Sequence, residues 1–172
     1  PLFQNGPVSQ GVYSVLYALF NQRGELCEES MRRQVRTVLN AGVHGITVLG
    51  LATEVNKLSE KEKRDLVTLV ADENAGQVPL SVTISGNSVA EQVELAQFAE
   101  QAGADWLILQ PPAVGSFSAQ VYLEFYQQVA GQLSVPLAIQ NAPEYLGRSL
   151  TADDIGQLIK QCPQFSAIKG EV

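Results

Sequence analysis

Lys169 is the residue whose type and setting could do covalent chemistry. It ends a short, mostly apolar run, Phe165-Ser166-Ala167-Ile168-Lys169. An amine held in such surroundings loses hydration, which disfavours the ammonium and leaves a neutral nitrogen able to attack a carbonyl carbon. The same residue also reads as a strand-end lysine whose head reaches solvent, the ordinary fate of lysines. Three further segments place polar side chains and turn-forming residues just after apolar runs: Gly50-Leu51-Ala52-Thr53-Glu54, Gln110-Pro111-Pro112 and Gln140-Asn141-Ala142-Pro143. Each has a plain structural reading beside a chemical one. Gly50 turns a loop, Pro143 stiffens one, and Glu54 pairs with a base or a backbone amide.

Metal chemistry is not expected. The chain has one histidine, His44, and two widely spaced cysteines, Cys27 and Cys162, which form no ligand pattern. The thiols read as reduced and the compartment as cytoplasmic. His44 opens an apolar run and reads as structural or solvated, while Tyr13, Tyr17 and Trp106 read as core or interface residues. With 11 Lys+Arg against 18 Asp+Glu, the net charge of −7 argues against nucleic acid and anionic membranes as partners. The stretch Val12 to Phe20 is broken by polar residues and too short to span a bilayer, which takes about 20 apolar residues.

The elements that must carry these residues alternate. Strands are expected over 11–20, 45–49, 80–84, 106–110, 136–140 and 166–169, most of them nearly continuous apolar runs suited to buried parallel strands. Helix starts are marked by Ser59 with Glu62, Ser88 with Glu91, and Thr151 with Asp154. Gly42 and Gly103 stand where helices must turn left-handed before the next strand. Val78-Pro79-Leu80 and Val135-Pro136-Leu137 open strands in matching fashion. A βα unit thus recurs roughly every 30 residues. The class is α/β, and the absence of a Gly-x-Gly-x-x-Gly after the first strand favours a (β/α)8 TIM barrel over an open doubly wound sheet. A barrel needs about 250 residues and eight strands, whereas 172 residues supply about six. Residues 1–172 are therefore expected to form one incomplete barrel domain, the N-terminal portion of a chain of roughly 300 residues. Its C-terminal strands and helices would be missing and two strand edges exposed, so that it should be neither stable nor active alone.

Taken together, the strand-end segments resemble a known family. Gly50-Leu51-Ala52-Thr53-Glu54 followed by Val55-Asn56-Lys57-Leu58-Ser59 is similar to the Gly-x-x-Gly-Glu loop and helix start of the dihydrodipicolinate synthase and N-acetylneuraminate lyase superfamily. Gln140-Asn141-Ala142-Pro143 resembles its Tyr-Asn-x-Pro segment, and Phe165 to Lys169 the strand presenting its Schiff-base lysine. The resemblance runs from Val15-Leu16-Tyr17-Ala18-Leu19-Phe20 to the last residue. It implies a class I lyase, an aldolase or dehydratase. Lys169 would form an imine with pyruvate or a 2-oxo-3-deoxy sugar acid, without cofactor or metal. It also implies Gln140 at the catalytic relay, Ala52, Thr53 and Asn141 at the substrate, and Gly50, Glu54 and Pro143 shaping the loops. A homo-oligomer, dimer or tetramer, is implied as well.

The sequence departs from the family pattern in that same site. Gln140 replaces the relay tyrosine, and an amide cannot exchange a proton as a phenol does. Leu51 and Ala52 replace two small hydroxyl residues, and Thr53 replaces the second glycine. Pro112-Ala113 stands for a tyrosine pair, and Tyr145 for an arginine, with Arg148 three residues later. These changes argue against dihydrodipicolinate synthase activity itself and for a divergent branch. The alternative is a non-catalytic barrel that binds a small carboxylate ligand.

Overall fold

The apolar runs become strands, and the capped stretches between them become helices. The computed structural model describes residues 11–112, 115, 117–147 and 149–170. In chain order these form β1 (Tyr13–Val15), α1 (Glu28–Asn40), β2 (Gly45–Val48), two 3-10 turns (Leu51–Thr53 and Val55–Lys57), α2 (Glu60–Asn74) and β3 (Leu80–Ile84). There follow α3 (Val89–Gln101), β4 (Trp106–Leu109), α4 (Ala119–Ala130), β5 (Leu137–Asn141), α5 (Pro143–Leu146), α6 (Ala152–Gln161) and β6 (Phe165–Gly170). The strands make one six-stranded sheet in sequence order, and each strand pairing described is parallel. This is the alternation expected of the first six strands of a (β/α)8 barrel. Among the described residues no helix is long and apolar enough to cross a membrane.

The described residues pack as two compact units, one of 11–83 with 98–105, the other of 84–97 with 106–170. In the first, β1 is much shorter than the expected strand over 11–20. Leu16 N–H still donates to Thr47 O on β2 at 2.9 Å. At Tyr17 the backbone leaves the sheet, because the Gln34 amide takes both of its main-chain groups, at 2.9 and 3.0 Å. A strand ends where its N–H and C=O find other partners. Phe20 then forms an isolated antiparallel bridge with Leu26. Tyr17 is exposed, not core, whereas Trp106 of the other unit is buried as expected. His44 is structural: its Nδ1 accepts from Val12 N–H at 3.1 Å, and its main-chain N–H donates to Val12 O at 2.8 Å.

Gly45 opens β2 opposite Tyr13, whose ring lies across the glycine. A Cβ at this position would fall inside the ring's edge, well within contact distance. Gly45→Ala is therefore expected to destabilise the chain by about 1–3 kcal/mol, the range for an overpacked core. The urea midpoint reports it, and Tyr13→Ala in the same chain should relieve most of the loss.

Helices α1 and α2 are joined through Glu73, whose carboxylate meets Arg32 at 3.1 Å and Arg36 at 2.9 Å. The hydrogen bond from Arg32, together with the charge of Arg36, holds the Glu73 carboxyl below the ordinary glutamate range. A carboxyl depressed in the folded state stabilises it above the unfolded pKa, and that contribution disappears as pH falls through the folded value. Urea midpoints should accordingly fall on acidification from about pH 7 to about pH 3, less steeply in Glu73→Gln.

In the second unit β4, β5 and β6 lie side by side. Tyr126 of α4 is buried against Phe165 of β6, the ring centroids 6.1 Å apart at 79°. Two capping boxes are complete, Ser59 with Glu62 and Thr151 with Asp154, and in each the hydroxyl holds the carboxyl below its usual range. Ser88 accepts from Glu91 N at 3.2 Å, while the Glu91 carboxylate takes the N–H of Asn87, one residue before the expected partner. Gly42 and Gly103 adopt φ of +77° and +100°, the left-handed turns expected of them.

Candidate active site

Strand β6 places the lysine by way of an irregularity. Phe165 pairs with Leu137 and Ala167 with Ala138, so Ser166 is an extra residue bulged out of the ladder. Side chains alternate faces along a regular strand, which would put Phe165 and Lys169 on the same side. The bulge shifts the count by one. Phe165 packs toward Tyr126 of the helix layer, and Lys169 comes into register with Gln140 of β5. Registered neighbours on parallel strands share a face, so Lys169 and Gln140 stand side by side at the strands' carboxyl ends. Lys169 is half-buried and Gln140 is 1% exposed.

Gln110, directly after β4, continues this row. Its Nε2 donates to Gln140 Oε1 at 2.9 Å, and both amides are buried. From α3 the Gln92 amide donates to the main-chain carbonyls of Gln110 at 2.9 Å and Gly86 at 3.2 Å, holding the end of β4 in place. Gln110 stands in one of the strand-end segments singled out from sequence but was given no role at the site, and Gln92 was not singled out at all. For Gln110 a signal existed: it follows the apolar run Trp106 to Leu109 as Gln140 follows Leu137 to Ile139. Gln92 offered none, because its partners are backbone carbonyls brought near only by folding.

Asn141 closes the loop between β5 and α6. Its Oδ1 accepts from Leu150 N at 3.0 Å, and its Nδ2 donates to Leu150 O at 3.2 Å. Pro143 begins α5, where its missing N–H has no cost. Tyr126 is no substitute for a relay tyrosine: burial, with Tyr122 nearby, holds its phenol protonated far above the ordinary range. A crevice of about 10 Å³ between Tyr122, Tyr126, Gln140 and Asn141 has room for about one water.

The loop after β2 belongs to the other unit. Leu49 and Glu54 bracket it, both left-handed, with φ of 60° and 55°, a conformation rare for residues with a side chain. Gly50 is buried, and a Cβ there would press on Val15 at 3.0 Å. The Thr53 hydroxyl is buried and donates to Leu16 O at 2.6 Å, so its proton is committed to the backbone. Ala52 is exposed and can offer only its main-chain groups. Glu54 pairs with Lys57 at 2.7 Å, as one of its sequence readings had it. A groove of about 500 Å³ in this unit, between α1 and α2, is lined by Glu25, Glu28, Glu62, Asp65 and Asp72 against a single Arg32. Its charge would repel an anionic acid. Ala113, Arg148 and Glu171 lie outside the described residues. Among the described residues no three His, Cys, Asp or Glu side chains converge as a metal site.

Comparison with known proteins agrees with this fold. The model of the dihydrodipicolinate synthetase family matches residues 8–172. A 4-hydroxy-tetrahydrodipicolinate synthase of Brucella abortus is 29% identical over 163 residues, 93% of this chain and 55% of the relative. One of Nitratidesulfovibrio vulgaris is 26% identical over 160 residues, 93% of this chain and 54% of the relative. The chain thus spans about half the length of the curated relatives it matches. Among solved structures, YagE, a prophage protein of E. coli K12 in the dihydrodipicolinic acid synthase family, was determined with pyruvate. It superposes with a TM-score of 0.92 at 25% identity, covering 96% of this chain and 55% of its own. A putative dihydrodipicolinate synthetase of Pseudomonas aeruginosa gives a TM-score of 0.90 at 25% identity, covering 93% and 55%. Relatives carrying the synthase name do not support setting that activity aside, as the departures at Gln140, Leu51 and Ala52 had suggested. Six parallel strands in family order, a strand-end lysine in register with Gln140, and a family match over nearly the whole chain lead to one conclusion: the chain belongs to the dihydrodipicolinate synthetase family.

Proposed function

We propose that Lys169 makes this chain a class I lyase, an aldolase or dehydratase acting in the cytoplasm on pyruvate or a 2-oxo-3-deoxy sugar acid. The supporting observation is the register that sets Lys169 beside Gln140 on one face at the strand ends. The amine attacks the keto carbon, the carbinolamine loses water, and the protonated imine accepts the electron pair released at the adjacent carbon. Loss of a proton or of a carbon–carbon bond there yields the enamine. Gln140 orients the substrate through hydrogen bonds, and Asn141 holds the loop beside it. Pro143 stiffens the loop after β5, and in the other unit Gly50, Ala52, Thr53 and Glu54 shape the turn after β2. Self-association as a dimer or tetramer belongs to the same proposal, and sedimentation of the purified chain checks it.

The test is borohydride reduction of the chain mixed with pyruvate or a 2-oxo-3-deoxy sugar acid, followed by peptide mapping. An adduct on Lys169 supports the reading. Absence of any adduct with either class of acid overturns it. The committed Thr53 proton and the amide at position 140 favour a second reading, a reversible carboxylate binder. Thermal stabilisation by pyruvate that survives in Lys169→Met would select it.

A further inference from the structure

We propose that the groove between α1 and α2 binds a linear polyamine, a chain of ammonium groups separated by short methylene runs. The inference is independent of the imine reading, because every residue it uses lies in the unit of residues 11–83 with 98–105. The order of residues on α2 lays out the site. Glu62, Asp65, Leu66, Leu69 and Asp72 follow one another at i, i+3, i+4, i+7 and i+10, which places them along one stripe of the helix facing the groove. Acid stands at both ends of the stripe and leucine in the middle. Glu62 and Asp72 lie about 15 Å apart along the helix axis. From the α1 side Leu26 and Met31 complete the apolar floor, and Glu25 adds a further carboxylate to the rim. The volume, about 500 Å³, is that of a small-molecule site.

Charge decides the class of occupant. Glu28 and Asp65 are paired with Arg32 and Lys61, whereas Glu25, Glu62 and Asp72 form no ion pair among the described residues. Arg32, the one base lining the groove, is already engaged by Glu28 and Glu73. Carboxylates strung along an apolar trough match cations strung on methylenes. The ammonium groups reach the acids, and the methylenes between them cover the leucines and Met31. A single metal ion would leave the floor uncovered, and among the described residues no three acidic groups converge on one point. Protein interfaces centre on large apolar anchors, yet Met31 and Leu66 are recessed at 0% and 1% exposure, and no aromatic side chain lines the groove. A small flexible cation therefore fits better than a basic helix of another protein. Once bound, it bridges α1 and α2.

Calorimetric titration of the chain with spermidine tests the proposal. One molecule should bind per chain, and raising the salt from about 20 to about 200 mM should weaken it about tenfold. Asp72→Asn removes one charged end and should weaken binding about tenfold, the scale of one charge-assisted hydrogen bond. Leu69→Asn keeps every charge and spoils the floor, and should weaken binding about fivefold. Asp153→Asn, on α6, lowers the net charge as much as Asp72→Asn does and should leave spermidine binding unchanged. Asp72 and Asp153 are both exposed, so neither change threatens the fold. Equal losses in the two aspartate variants, or parental binding by Leu69→Asn, would reduce the effect to general attraction by an acidic chain and overturn the proposal. Absence of saturable spermidine binding would overturn it too. A helical Lys-Leu peptide that binds more tightly than spermidine would assign the groove to a protein partner instead, with the same consequence.

Discussion

Lys169→Met should form no borohydride-stable adduct with pyruvate under conditions in which the parent chain is labelled at that residue. The loss follows from chemistry and from register. Methionine keeps the length and apolar stem of lysine and removes the nitrogen that attacks the keto carbon. Lys57, Lys61 and Lys63 belong to the other unit and pair with Glu54, Asp65 and Glu60 respectively. Turnover of any 2-oxo substrate should fall by at least about a thousandfold, the scale on which removal of a covalent nucleophile acts. Circular dichroism and the urea midpoint should change little, since the side chain is only half-buried. Intact mass and peptide mapping decide the matter, and label persisting elsewhere in Lys169→Met would move the nucleophile to another residue.

The largest effect on stability is expected four residues earlier. Phe165 is 1% exposed and meets Tyr126 edge to face. Phe165→Ala removes both the buried ring and its partner's contact, so a loss of about 3–5 kcal/mol is expected. That is a large share of the roughly 5–15 kcal/mol typical of a folded domain. Ile168 in the same strand is 49% exposed, and Ile168→Ala should change stability far less. Urea denaturation of the two variants side by side makes the comparison, and similar midpoints would show that β6 is not anchored through Phe165. Trapping at Lys169 should also slow in Phe165→Ala, because the bulge that aims the lysine follows directly on the lost anchor.

Much of the fold is legible in the residue string. Continuous apolar runs mark parallel strands, and Ser59 and Thr151 start helices through full capping boxes. Gly42 and Gly103 end helices in the left-handed conformation. These signals act within a few residues, so they survive without knowledge of the partner strands. The run at 11–20 shows the limit of such reading. Its hydrophobicity says strand throughout, yet β1 ends at Val15 because a glutamine on α1 takes the main-chain groups of Tyr17.

The site divides in the same way. Sequence alone determined that a lysine ends an apolar run, that glutamine stands where the resembled family has a tyrosine, and that six strands follow one another with helices between them. Tertiary structure decided which way those residues point. The bulge at Ser166 carries Lys169 to the face opposite Phe165, the Gln110 amide donates to that of Gln140, and Leu16 takes the Thr53 proton. Side-chain identity is a local property, whereas a face, an amide's partner and a hydroxyl's proton depend on residues 28 or more positions away, supplied when the strands come into register.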